Sequence, residues 1–248
     1  ADGFIYPPIQ ATMKATEEII GGNIAPEEQW DWKEVPQSQR PALLHSLPAS
    51  HEIVLDDELK QDEFRRRDGA FLMYLIGYLY GYRLQFSSWW FDGRISLKNT
   101  HNIYVSDDAA SQFISKSYRA WKQWPQDIQR RFTNLLYMNS RLESYEWDWE
   151  RFTIAYMVFD GCYKHAKTMA HVQDCSHSRR LQEMAKVCGL YFDRSVSNRI
   201  VNLRNDLFHE ALWDGGQPCS GGGQDSFSLT EFLRGINNRL IPALLGYP

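Results

Sequence analysis

One hexapeptide near the end of the chain holds the side chains best suited to proton transfer at a phosphate: Arg204-Asn205-Asp206-Leu207-Phe208-His209. An imidazole trades protons near neutral pH, and a guanidinium fork fits phosphate oxygens. On a wheel at about 100° per residue with Val196 at zero, Phe192, Ile200, Leu203, Leu207 and Ala211 fall within about 60° and form a stripe for burial. Asn198, Asn202, Asn205 and His209 fall between about 180° and 240°, with Trp213 just beyond; Arg204 sits at about 80°, where a long side chain can swing either way. A solvated helix face ordinarily carries Lys and Glu, and Asn is a poor helix former. Three Asn and a His on one face therefore predict a surface that meets a ligand, a cleft or a partner helix. The plainer alternative is an ion pair of Arg204 with Asp206 or an acid elsewhere, beside a surface histidine near a helix end.

Other spacings carry less chemistry. Cys162, His165, His171, Cys175 and His177 gather sulfur and nitrogen in sequence, but match no standard zinc-finger spacing. We therefore assign no metal ligands and no cofactor. Glu146-Trp147-Asp148-Trp149-Glu150 sets acids among tryptophans, as a sugar hydrolase could. Adjacent residues do not make the opposed carboxylates of that reaction, however, and acids at a helix start are stabilised by its positive end. The glycine-rich stretch from Asp214 to Ser226 lacks both Gly-Lys-Ser/Thr and G-x-G-x-x-G, so nucleotide binding has no support.

The elements that must position the hexapeptide are helical. Tyr145, Trp149, Phe152, Tyr156, Phe159 and Tyr163 step by four and three, an aromatic stripe that reads as core. Helices are expected over Ser178 to Gly189 and over Asp193 to Trp213, the latter carrying the hexapeptide. A last helix is expected from Ser228, where Ser228-Leu229-Thr230-Glu231 matches a capping box, with Pro242 ending or bending it. Ser220 to Gly223 reads as a mobile loop. Upstream, helices are expected from Asp62 to about Leu84, from Ser106 to about Trp121, and from Pro125 toward Leu142. Phe86 to Leu97 reads as two short extended runs about an Asp92-Gly93 turn. Residues 1 to 60 are rich in Pro and Gly, with a short helix expected at Thr12–Ile20 and a strand at His51–Leu55. The chain thus divides into an irregular segment 1–60 with minor β-structure, a helical region 61–142, and a helical domain 143–248.

The hexapeptide resembles the R-x4-6-H motif of the HEPN superfamily, including the polar residue after the Arg. The layout of a long helix, a shorter one and a late helix with the motif is similar too, over roughly the last hundred residues. More loosely, Leu75-Ile76-Gly77 and Gly81-Tyr82-Arg83 before a β-prone segment resemble regions preceding HEPN modules in larger bacterial proteins. The resemblance implies a mainly α fold, a HEPN-like helical bundle. It also implies a metal-independent endoribonuclease acting as a homodimer, in the role of a toxin or phage-defence effector. His209 would then be the acid or base, Arg204 would hold the scissile phosphate, and Asn205 would orient the phosphate or His209. Asn198, Arg199 and Asn202 are the accompanying RNA-binding candidates. One position departs from the pattern: the tyrosine two residues after the His in toxins silenced by adenylylation is Ala211 here. The alternative within the resemblance is a non-catalytic module for dimerisation or RNA binding.

Composition narrows the field. The chain is 248 residues with a formal charge of -4, 43% hydrophobic and 23% charged, which excludes wholesale disorder and a uniformly basic nucleic-acid binder. From Lys164 to Arg204, however, eight bases face three acids, a local excess compatible with phosphate-backbone contact or with an ordinary solvated face. Aromatics at 14%, nine of them Trp, point to a core, an interface or a stacking surface. No apolar run is long enough for a membrane span. Four scattered cysteines favour a reducing, cytoplasmic setting. Ala1-Asp2-Gly3 does not look like a signal peptide, and the missing initial Met suggests a processed chain or a fragment.

Overall fold

In the computed structural model, the described residues are 3–5, 44–47, 53–55, 62–86, 89–92, 106–145, 147–213 and 224–247. They are mainly helical. Seven α-helices run in order: α1 Asp62–Tyr80, α2 Asp107–Lys122, α3 Gln126–Ser140, α4 Asp148–Thr168, α5 His177–Val187, α6 Arg194–Glu210 and α7 Gln224–Leu244. Four short strands accompany them: β1 Gly3–Ile5, β2 Leu44–Leu47, β3 Ile53–Leu55 and β4 Trp89–Asp92. β1 pairs antiparallel with β3, and β2 with β4. Among the described residues, no helix is long and apolar enough to cross a membrane.

Local chemistry sets most helix ends. Ser106 takes the extended cap conformation, and its Oγ accepts from the Ala109 N–H at 3.3 Å, as expected for α2. Pro125 precedes the first residue of α3. At the start of α4, Glu150 Oε2 accepts from the Trp147 N–H at 3.2 Å, with Asp148 and Glu150 in the first turn. α1 stops at Tyr80, earlier than the apolar pattern suggests, because Gly81 turns to φ 66°.

Two expectations are corrected. α7 begins at Gln224, so Ser228 lies inside the helix and is no cap. The Thr230 hydroxyl donates back to the Ser226 carbonyl at 2.7 Å; such hydroxyls settle on the preceding turn within a helix as readily as they cap one. β4 pairs with β2, over forty residues upstream, and Phe86 lies outside it. Pro242 is carried within the last turn of α7, which closes two residues later. The expected helix at Thr12–Ile20, the extended run after Gly93 and the loop at Ser220–Gly223 lie outside the described residues.

The core is aromatic, as the composition suggests. Phe71 and Trp121 stack at 4.5 Å, joining α1 to α2, and the Trp121 Nε1–H donates to the Gln129 carbonyl at 3.1 Å, joining α2 to α3. Phe152, Tyr156, Phe159 and Tyr163 of α4 are buried, while Trp149, at the outer end of the same stripe, stays partly exposed. α4 and α7 are held together in the interior by Asn237 Nδ2, which donates to the Ala155 carbonyl at 2.8 Å. A buried pair of Arg234 with Glu143 fixes α7 to the short turn before α4. In α1, a Cβ added to Gly77 would lie 2.6 Å from the Tyr82 carbonyl oxygen. Gly77→Ala is therefore expected to destabilise the fold by about 1–3 kcal/mol in urea unfolding, despite alanine's advantage of about 1 kcal/mol in helix propensity. A neutral or stabilising result would mean that this turn yields freely.

Candidate active site

Three helices build the site. α6 starts from Asp193, whose Oδ1 accepts from the Ser195 N–H at 2.8 Å. Its inner face is set by Ile200 and Leu203, buried as the wheel requires, with Ser197 buried beside that stripe. Leu207 is only half-buried, and Ala211, at the edge of the stripe, is exposed because the helix has ended there. Ser197 Oγ donates to the Ser178 carbonyl at 3.0 Å, seating α6 on the first turn of α5. Phe192, ahead of α6, meets Phe232 of α7 edge-on at 4.9 Å.

The helix ends three residues before the expected Trp213. Ala211 adopts the left-handed conformation (φ 56°, ψ 29°), and the N–H groups of Ala211 and Leu212 both return to the Asp206 carbonyl, the latter at 3.0 Å. Trp213 then packs on Phe152 of α4 at 5.6 Å. The last turn of the hexapeptide is thus clamped at both sides. An alanine in this conformation is strained where glycine is not, so Ala211→Gly should raise stability by about 1 kcal/mol without moving Arg204 or His209. Thermal unfolding checks this, and a drop in melting temperature would contradict it.

The swing left open for Arg204 is resolved. Its Nη1 donates to Asn205 Oδ1 at 2.9 Å and to His209 Nε2 at 2.8 Å. Among the described residues no ion pair joins Arg204 to an acid, so the Arg204–Asp206 alternative does not hold. Arginine can only donate, so His209 Nε2 is an acceptor here, and its proton sits on Nδ1. Asn205 thus holds Arg204 rather than touching His209. His209 is exposed, and Arg204 and Asn205 are partly buried. Phe208 lies beside the guanidinium at 5.3 Å and is 45% exposed. Asn198, Arg199 and Asn202 are exposed on the preceding turns of α6.

The structure adds residues that the spacing did not single out. The Arg204 guanidinium lies 6.0 Å from the ring of Tyr156 on α4. The Tyr156 hydroxyl is 2.9 Å from His177 Nδ1, in the first turn of α5, and Arg180 Nη1 is 3.1 Å from the same nitrogen. Arg180 also donates to Asp160 Oδ1 at 2.7 Å and lies over Tyr163 at 4.4 Å. Burial and the Arg180 charge hold His177 below the usual imidazole range. Burial and the Asp160 carboxylate push Tyr156 up to about 12. Tyr156 was legible only as one member of the core stripe, and it is indeed buried; its hydroxyl is what reaches the site. A histidine three residues before an arginine at a helix start was the available signal for the α5 pair.

The sulfur–nitrogen cluster of the sequence disperses. Cys162 is fully buried, its thiol pushed up to about 12 by burial. His165 is wedged between Trp124 and Phe132, and His177 belongs to Tyr156 and Arg180. Among the described residues, no group of three or more His, Cys, Asp or Glu is placed to hold a metal ion. Four of the eight bases of the basic stretch pair with three carboxylates: Lys167 with Asp174, Arg179 and Lys186 with Glu183, and Arg180 with Asp160. A pocket of about 370 Å³ between the α4–α5 loop and α5 is lined by His171, Cys175, Arg179, Glu183 and Lys186 among others, and does not include the Arg204 cluster.

Asn205→Ala should loosen Arg204 without removing it. We expect a cost of about 1 kcal/mol, hence several-fold, in any activity that depends on Arg204. A loss as large as that of Arg204→Ala would give Asn205 a direct part. No protein-family model matches this chain, and neither a curated protein nor a solved structure matches it.

Proposed function

We propose that the protein is a metal-independent endoribonuclease of HEPN type, with Arg204 and His209 as its working pair. The observation that carries this reading is the 2.8 Å contact between the Arg204 guanidinium and His209 Nε2 at the exposed end of α6. A group that binds phosphate and a group that moves protons are thereby presented together to solvent. In the reaction, His209 accepts the proton of an RNA 2′-hydroxyl or supplies one to the departing 5′-oxygen. Arg204 leaves the imidazole for the scissile phosphate, where its fork offsets the charge of the transition state. The 2′-oxygen bonds to phosphorus as the P–O5′ bond breaks, leaving a 2′,3′-cyclic phosphate and a 5′-hydroxyl. A homodimer and a toxin or defence role belong to the same reading through the family resemblance.

The test is incubation of the purified protein with mixed RNA, in a chelator, beside its His209→Ala variant. Cleavage by the first and not the second supports the reading; equal cleavage, or none by either, removes it. The second reading is a non-catalytic module whose α6 end meets another chain. It is favoured by the exposure of Phe208 and Leu212 on either side of His209, at 45% and 47%. That reading predicts that Phe208→Ser breaks an assembly seen by light scattering.

A further inference from the structure

Two arginine–imidazole pairs stand on either side of one phenol. Arg204 with His209 comes from α6, Arg180 with His177 from α5, and Tyr156 of α4 lies between them, bonded to His177 and 6.0 Å from the Arg204 guanidinium. The pairs are built alike. In each, an Nη1 donates to a ring nitrogen, at 2.8 Å and 3.1 Å. Since arginine has no acceptor, each imidazole offers a lone pair in this geometry. Each guanidinium also keeps an Nε that is buried without a hydrogen-bond partner. An imidazole nitrogen is a weak acceptor for a guanidinium, and a phosphate oxygen a much stronger one. Both arginine–imidazole bonds are therefore ones that an incoming phosphate would replace; Arg204 is otherwise held by the Asn205 amide oxygen, and Arg180 by the Asp160 carboxylate.

The α5 pair has two further features that suit an anion. His177 lies in the first turn of α5, at the helix's positive end. Asp160, the one carboxylate bonded to Arg180 among the described residues, has a side chain 36% exposed and balances only one of the two guanidinium charges. The cluster of Arg180, Arg204 and Asp160 thus keeps one positive charge between its two poles.

We propose that Tyr156, His177 and Arg180 extend the α6 site into a two-phosphate site for a single nucleic-acid strand, Arg180 holding the phosphate adjacent to the one held by Arg204. This deepens the ribonuclease reading and rests on it for the choice of strand. Tyr156 spaces the poles and keeps His177 turned toward Arg180. Asp160 is a built-in competitor that the second phosphate displaces from Arg180.

Binding of uncleavable 2′-deoxy oligonucleotides tests this without any need for turnover. A dinucleotide has one internucleotide phosphate and a trinucleotide two, and NMR titration at several salt concentrations gives affinity and salt slope for each. The wild-type protein should bind the trinucleotide roughly tenfold more tightly. Arg180→Gln should remove that advantage and lower the salt slope by about 0.7, the increment of one phosphate contact on a single strand. Arg119→Gln on α2, which deletes a charge outside the cluster, should keep the wild-type slope. Asp160→Asn should strengthen trinucleotide binding several-fold more than dinucleotide binding, a selective gain that loss of a negative charge alone would not produce, and it decides alone if Arg180→Gln fails to fold. A folded Arg180→Gln with the wild-type slope, an Asp160→Asn that gains no more for the trinucleotide than for the dinucleotide, or a wild type that does not distinguish the two strands overturns the proposal. The ribonuclease reading is judged separately by RNA cleavage in His209→Ala. If that variant cleaves like wild type while Arg180 dependence holds, the chemistry is discarded and the phosphate site stands; the converse leaves the chemistry and removes the second pole.

Discussion

Alanine in place of His209 is expected to lower RNA cleavage by roughly 10²- to 10⁴-fold, the range contributed by a positioned proton-transfer group. Arg204→Ala should cost at least as much, because under the proposed ribonuclease reading Arg204 would have two tasks. It meets His209 Nε2 at 2.8 Å, and it is the guanidinium available for the reacting phosphate. Arg204→Lys should recover little of this. A lysine ammonium is a single point donor and cannot grip a phosphate with two parallel bonds as a guanidinium fork does. Neither substitution should disturb folding much, since His209 is exposed and Arg204 lies outside the buried stripe of α6. Cleavage measured beside thermal unfolding separates the cases: a folded Arg204→Ala that still cleaves at the wild-type rate removes the pair from the mechanism. The resting contact has one more consequence. The nitrogen that would handle the substrate proton is occupied by the Arg204 N–H; on the proposed reading a bound phosphate would draw the guanidinium away, so that substrate binding itself would free the base.

How far the sequence foretold this site depends on the range of the forces involved. The inner face of α6 was legible because burial repeats with the helical period, and Ile200 and Leu203 fall where the wheel puts them. The Ser106 cap was legible because a cap acts over three residues. The direction of Arg204 was not, since a boundary residue is turned by its neighbours rather than by periodicity, and here Asn205 Oδ1 and His209 turn it outward. Tyr156 was legible as core but not as a hydrogen-bond partner, because His177 lies twenty-one residues away and only packing brings α4 to α5. The start of α7 failed for a related reason: the Ser228 pattern satisfies a local rule, while buried Ser226 and Thr230 are fixed by the helix they sit in. The pairing of β4 with β2 could not be read from either strand alone. Local rules thus placed the hexapeptide on its helix, and long-range packing supplied its neighbours.

His165 should make the fold sensitive to mild acid. Its side chain is 3% exposed, packed between Trp124 at 4.5 Å and Phe132 at 5.0 Å, and neither ring nitrogen has a hydrogen-bond partner. Burial, with smaller pushes from His171 and Arg131, brings its pKa down to about 4. The unfolded chain has an ordinary imidazole near 6.5. Between those values the unfolded state binds a proton that the folded state refuses, so stability is full above about pH 6.5 and falls as the pH drops toward 4. The whole interval is worth about 3 kcal/mol. Glu183 and Asp174, held low mainly by Lys186 and Lys167 respectively, and His177 also weaken the fold on acidification, so a single pH curve cannot isolate His165. The difference between wild type and His165→Phe can. The phenyl ring keeps the aromatic slot filled and removes two buried polar atoms without partners, so at pH 7 the variant should be equal or more stable by about 1 kcal/mol. At pH 4.5 its advantage should widen by a further 2–3 kcal/mol. Urea unfolding at the two pH values measures both. An advantage that does not grow on acidification would mean that the folded protein admits a proton at His165, and that the Trp124–Phe132 slot opens to let it in.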